Sequence, residues 1–271
     1  MAQVILVTSF KGGVGKTTIS AGLAVRLNEL GNKVLVCDCD LESRCLDIVL
    51  GIENQPLFNI CDVIAGRCET DKAILKDERF SHLYFMPAPA FYPEAVQQEN
   101  TSDIFTEEGV NRFINEVSSQ YDYVILDLPA RPDMLYRRLV MCADRVIVVS
   151  FHTATSIRSA EKTAMAIHEM RGDRHHADVK LAVNGFRPDS VKSGDNVGLY
   201  DIISKTGLGL LGVIPYDEEL VKSQETGTLP SEHKKGKFPF WQAICNTADR
   251  LEGRNVSLLK GIKLKDKSRL C

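Results

Sequence analysis

The run Phe10-Lys-Gly-Gly-Val-Gly-Lys-Thr-Thr18 constrains this chain more than any other feature. It follows directly on a short β-rich segment, residues 4–8, and opens a stretch of helical spacing. Glycines at 12, 13 and 15 let the backbone wrap closely around phosphates with several N–H groups aimed inward. The start of the following helix adds positive potential. Lys16 is placed to contact β- and γ-phosphates, and the Thr17 hydroxyl to ligate Mg²⁺. Phosphate oxygens and waters are expected to complete the octahedral shell. The expected nucleotide-binding set is therefore Gly12, Gly13, Val14, Gly15, Lys16, Thr17 and Thr18.

The rest of the chain alternates strand and helix signals. Residues 4–8, 33–37, 83–86, 123–126, 146–149, 180–183 and 210–214 are short apolar or β-rich runs, the pattern of parallel strands buried on both faces. Helical spacing fills 17–30, 107–117 and 156–170, and Gly31 suits the position just past a helix end. Alternation of this kind predicts an α/β fold of three layers, a mainly parallel twisted sheet with helices on both faces. No internal repeat, low-complexity segment or interdomain linker interrupts it.

Three carboxylates fall where such a sheet places chemistry. Asp127 ends the apolar run Tyr-Val-Ile-Leu, the Walker B position, and is expected to accept from Mg²⁺-bound water. Asp38 and Asp40 follow the second strand, and alternation would point both to one side of the ligand crevice at the C-terminal strand ends. Asp38 and Asp127 are thus expected beside the metal with Thr17.

Composition narrows the class further. Across 271 residues, 44% are hydrophobic and 25% charged, with a net charge of −3, which excludes wholesale disorder and a strongly basic nucleic-acid coat. The eight cysteines, at 37, 39, 45, 61, 68, 142, 245 and 271, include no CxxC pair and fit a reducing cytosol better than a disulfide framework. No apolar run approaches the ~18 residues of a membrane span, and none has the form of a signal peptide. The reading so far predicts an intracellular, soluble chain.

Lys11, ahead of Gly12-Gly13, resembles the signature lysine of the deviant Walker A ATPases, the MinD/ParA family, whose pattern is KGGxGK[ST]. Asp38, Asp40, Arg44, Leu46 and Asp47 match its first switch, Asp127-Leu-Pro-Ala130 its second, and Asn184 and Gly212-Val-Ile-Pro-Tyr-Asp217 its base-binding segments. The resemblance implies Mg²⁺-dependent ATP hydrolysis by an ATP-dependent homodimer. Lys11, Lys16 and Asp40 would be catalytic: Lys11 crosses to the partner's nucleotide, and Asp40 orients the attacking water while Asp38 supports the Mg²⁺ shell. Asn184 would read adenine, with Pro215 against the base. Four positions depart from the family pattern: Glu42 for glycine, Cys45 for asparagine, Ser159 for aspartate and Gly185 for arginine.

Gly51, the segments 57–66 and 83–88, and Glu108-Gly-Val110 resemble the MinD branch, the septum-site-determining ATPases, more than the ParA branch. That branch implies a cytoplasmic protein, peripheral on the inner face of the cell membrane when ATP-bound. It further implies a division-inhibitor partner and a stimulating regulator. A ParA-like DNA-segregation ATPase, or a placement ATPase for flagella or other machinery, is the alternative; DNA binding is less expected. A nitrogenase iron-protein relative is disfavoured, because Leu128-Pro-Ala130 stands where a cluster cysteine would be needed.

From 254 to 271 there are six basic residues and one acidic, a net of +5 that leaves −8 on residues 1–253. The chain is accordingly divided into an ATPase domain, 1–253, and a basic amphipathic membrane-targeting tail, 254–271. Val256, Leu258, Leu259, Ile262 and Leu270 would share one helical face toward anionic lipid. Arg174-His-His176 and Lys234-Lys-Gly-Lys237 read as solvated loops. Phe238, Phe240 and Trp241 read as core packing of the penultimate helix.

Overall fold

A computed structural model describes residues 1–52, 56–91, 104–172, 177–220 and 239–261. Among them, one eight-stranded sheet organises the chain. Its strands are β1 (Gln3–Thr8), β2 (Val34–Asp38), β3 (Leu75–Lys76), β4 (Leu83–Met86), β5 (Tyr123–Asp127), β6 (Arg145–Phe151), β7 (Asp178–Phe186) and β8 (Gly209–Pro215). They lie in the order β3-β4-β2-β5-β1-β6-β7-β8, parallel throughout except that β3 runs antiparallel to β4.

Successive side chains of β1 leave the sheet on opposite sides, as the pleat requires. Val4 and Leu6 join a core formed with α3 (Ile60–Ile64), α4 (Glu107–Gln120), α5 (Met134–Cys142), α6 (Ala154–Arg171) and α8 (Leu199–Thr206). Ile5 and Val7 join the other core, with α1 (Lys16–Glu29), α2 (Leu46–Leu50) and α9 (Pro239–Leu251). A short helix, α7 (Pro188–Lys192), follows β7. This is the expected three-layer architecture. The chain leaves β1 for β2 on one side of the sheet, while β6 pairs with β1 on the other. A crevice therefore opens at the C-terminal end of β1, the general site of ligand binding in such sheets.

All seven expected strands are present; β2 is shifted by one residue, to Val34–Asp38, and the others lie at or slightly beyond their expected bounds. The two-residue β3 is the addition, too short to leave a period in the sequence. α1 begins one residue early, at Lys16, because Gly15 adopts φ 92° and caps the helix. It ends at Glu29, and Gly31 (φ 93°) donates its N–H to the Asn28 carbonyl. α4 starts where Thr106 Oγ1 accepts from the Gly109 N–H at 3.0 Å, and runs past its expected end at 117. At Gly109 a side chain would stand 2.6 Å from the Ile64 carbonyl, so glycine lets α4 lie against α3.

Beyond the expected 253/254 boundary the described chain stays on the body. Residues 254–261 are not helical; they fold back on α9 as part of the packed body. Arg250 Nη1 donates to the Val256 carbonyl at 2.8 Å, and Asn246 Nδ2 to the carbonyls of Leu258 and Lys260 at 3.3 and 2.9 Å. Val256 is 9% exposed, and Leu258 and Leu259 pack on the core. The expected apolar face of the tail thus loses three members to the body, because side-chain donors on α9, Arg250 and Asn246, take up carbonyls that a helix would use. Ile262 to Cys271, the 174–176 and 234–237 loops (apart from 177 onward) and Phe238 lie outside the described residues. Phe240 is buried and Trp241 half-buried. Among the described residues no helix is long and apolar enough to cross a membrane, and seven cysteines are free thiols.

Candidate nucleotide site

The glycine loop occupies the crevice end of β1. Gly13 and Gly15 have φ 72° and 92°, conformations that L side chains rarely adopt. No side chain caps the first turn of α1, so its N–H groups remain available to an anion. The loop is fixed at both ends. The Phe10 N–H donates to Thr163 Oγ1 at 3.1 Å, and its ring lies 5.9 Å from that of Tyr136. At the other end the Val14 carbonyl accepts from Asn184 Nδ2 at 2.8 Å.

Behind the loop stand two buried carboxylates. Asp38 and Asp127 are register partners on β2 and β5, 0% and 1% exposed. Asp38 accepts the N–H groups of Asp40 and Leu46, both at 3.0 Å. Asp127 accepts from Ser20 Oγ at 2.8 Å and from the Thr17 hydroxyl. Burial, then the neighbouring Asp127 charge, pushes Asp38 up to about 8. Burial raises Asp127 less, to about 6, because the Thr17 and Ser20 hydroxyls and the Lys16 ammonium favour its ionised form. A pair of buried carboxyl groups beside a threonine hydroxyl suits a hard cation that keeps waters, which is the chemistry of Mg²⁺. Among the described residues no cluster of three or more His, Cys, Asp or Glu offers an all-protein metal cage.

In front lies a cleft of about 430 Å³. Gly12, Gly13, Gly15, Lys16, Thr17, Thr18 and Asp40 line it, joined by Glu42, Ser43, Cys45, Pro129, Ala130 and Arg131. Asp40 is not in the extended line that alternation predicts. β2 ends at Asp38, and the chain turns so that Asp40 Oδ1 accepts the Ser43 N–H at 2.9 Å. One carboxylate therefore sits behind the cleft and the other at its wall. Lys11 does not line its own cleft: its Nζ donates to Thr155 Oγ1 at 3.0 Å. Val14 is buried in the core. Asn184 and Pro215 are also buried and outside the cleft; further along the chain the Arg187 guanidinium stacks 3.6 Å over the Tyr216 ring.

The sequence profile of a family described as AAA domain matches residues 2–180. The septum site-determining protein MinD of Bacillus subtilis is 33% identical over 95% of this chain and 92% of its own length. The chain belongs to the MinD family. In three dimensions it is similar to the Aquifex aeolicus MinC:MinD cell division protein complex, with TM-score 0.82 and 34% identity over 95% of this chain and 98% of that one. The fold also matches the Pyrococcus horikoshii septum site-determining protein MinD complexed with Mg-ADP, at TM-score 0.78 and 24% identity, covering 98% and 100% of the two chains. Kinship with the MinD family carries a role in cell division and ATP hydrolysis at the family level.

Three of the four departures from the MinD pattern have describable surroundings. Gly185 has φ 61°, and a side chain there would stand 3.1 Å from the Phe151 ring, so the left-handed backbone and the close ring together disfavour an arginine here. Cys45 lines the cleft, its Sγ 3.3 Å from the Ser43 carbonyl; burial and the surrounding aspartates push its thiol up, and it offers no amide donor–acceptor pair. Glu42 faces Arg131 across the cleft mouth. Nothing in the structure explains Ser159. Sequence reasoning missed Ser20, although it lies one turn along α1 from Lys16 and so on the same helix face. It also missed Arg131, which no spacing rule marks.

Proposed function

We propose that the chain is a Mg²⁺-dependent ATPase that dimerises on ATP and cycles on and off the membrane to position the division site. In this reading it recruits a division inhibitor and answers to a stimulating regulator. The observation that carries the proposal is one cleft with the glycine cradle and Lys16 at its base, Asp40 on its wall and Asp38 and Asp127 buried behind it. Family membership supports the cell-division part.

The loop N–H groups and Lys16 bind and orient the phosphates. Thr17, Asp38 and Asp127 are the residues that would hold Mg²⁺, which when bound neutralises charge on phosphate oxygens. Asp40, held by the Ser43 N–H, presents its other oxygen to a water on the terminal-phosphate side and takes up its proton. Lys11, already turned out of its own cleft, stands ready to reach a second copy's cleft, where a cation stabilises charge during transfer. Asn184 and Pro215 serve the adenine end. Residues 262–271, with Lys263, Lys265, Lys267 and Arg269, form the anionic-membrane contact; one such short segment binds weakly, and a dimer carries two.

The test is co-sedimentation of the full chain with anionic vesicles, with ATP or ADP, beside a double-stranded DNA control. ATP-dependent vesicle binding with turnover is expected. ATP-dependent DNA binding without vesicle binding would instead favour the segregation class.

A further inference from the structure

The loops after β2 and β5 run side by side, tied where the Cys39 N–H donates to the Asp127 carbonyl at 2.9 Å. Beyond that tie, the first brings Asp40 to the cleft wall and Glu42 to its mouth, and the second brings Arg131 to the mouth. Arg131 Nη1 and Glu42 Oε1 are 4.0 Å apart, with the side chains 84% and 49% exposed. Water screens a pair of this kind, and it holds neither partner firmly. The backbone beneath Arg131 is more constrained, because Pro132 disfavours helical geometry at the preceding residue and Asp133 caps α5, which begins at Met134.

Of the cations, only Lys16 and Arg131 line the cleft among the described residues. Lys16 is buried at the base, whereas Arg131 is free to swing at the mouth. A guanidinium keeps its charge at all working pH values, is weakly hydrated, and matches phosphate oxygens with a planar fork. Resting on the ATPase reading, we infer that Arg131 is the receptor for the terminal phosphate. With a nucleoside triphosphate in the cleft, its guanidinium exchanges Glu42 for γ-phosphate oxygens. With a diphosphate that group is missing, and Arg131 stays with Glu42. The exchange costs little because the ion pair given up is weak. Glu42 is the competitor, and its negative charge also opposes the incoming phosphate, so the two side chains together set the preference for triphosphate over diphosphate.

Calorimetric titration of the full chain with Mg²⁺ and either the β,γ-imido analogue of ATP or ADP tests this. Arg131→Ala is expected to weaken the analogue on the order of tenfold and to leave ADP within about twofold, with Arg131→Lys between. Glu42→Gln is expected to tighten the analogue about threefold and not ADP. An Arg131→Ala variant that loses both nucleotides equally, or neither, overturns the Arg131 assignment and leaves the ATPase reading standing. A wild-type chain that binds neither nucleotide overturns both. Arg131 is exposed, so the variant folds, and thermal unfolding checks that it does.

Discussion

Asp38 and Asp127 stand side by side as register partners on neighbouring parallel strands, both buried and both carrying raised pKa values. Without a cation the fold therefore prefers to keep a proton there. The unfolded chain, with carboxyls near 3.8, gives that proton up sooner as pH rises.

That difference fixes a sign. Both carboxyls bind protons more tightly in the folded state, so their contribution is fully present below the unfolded value and is lost as pH rises through about 6 and then about 8. Melting of the ligand-free protein should fall across this window, and Asp38→Asn should flatten the fall. Mg²⁺ with ADP should restore more stability at about pH 8 than at about pH 6. Differential scanning fluorimetry over this range is the measurement. A flat profile for the wild type would show that the pair does not titrate.

Gly15 meets Asn184 so closely that a methyl group there would collide with the Asn184 amide. Gly15→Ala should lose nucleotide binding and about 1–3 kcal/mol of stability, from strain at positive φ together with the collision. Asn184→Ala in the same chain should return part of the stability and leave the φ penalty. Urea unfolding of the single and double variants separates the two contributions.

Lys11 hydrogen-bonds Thr155 instead of facing its own cleft. Lys11→Ala should bind ATP nearly as well as the wild type but turn it over about 100-fold more slowly. Asp40→Ala should be equally slow. Mixing the two variants should restore roughly a quarter of wild-type turnover, because half the dimers are mixed and each then holds one intact site. A lysine acting within its own chain leaves no site intact, and the mixture stays inactive.

Truncation after residue 261 should leave thermal unfolding unchanged and abolish vesicle binding. Truncation after 253 should also cost about 2–4 kcal/mol of stability, since it removes the burial of Val256, Leu258 and Leu259. Equal stability of the two truncations would overturn the docked placement of residues 254–261.

Much of this is legible in the amino-acid sequence, for definite physical reasons. A parallel strand buried on both faces must be a continuous apolar run, so 83–86 and 123–126 announce themselves. A phosphate loop needs glycine where φ is positive, so Gly13 and Gly15 do too. What stayed hidden depends on partners far away in sequence. The turn that separates Asp40 from Asp38 is set by carboxylate-to-backbone hydrogen bonds. The docking of Val256 depends on Arg250 and Asn246 finding carbonyls across a turn. The meeting of Glu42 and Arg131 follows from β2 and β5 being neighbours, a pairing that local periodicity does not encode.

The hydrogen bond from Asn184 to the Val14 carbonyl joins positions 170 residues apart, and it makes one mechanical unit of the two ends of the proposed nucleotide. A change of fit at the base end is transmitted straight to the backbone of the phosphate loop. Adenosine and an inorganic polyphosphate, offered as separate fragments, should consequently favour each other's binding. The protein would then sense an intact nucleotide by the cooperation of its halves, without needing a strong grip on either one.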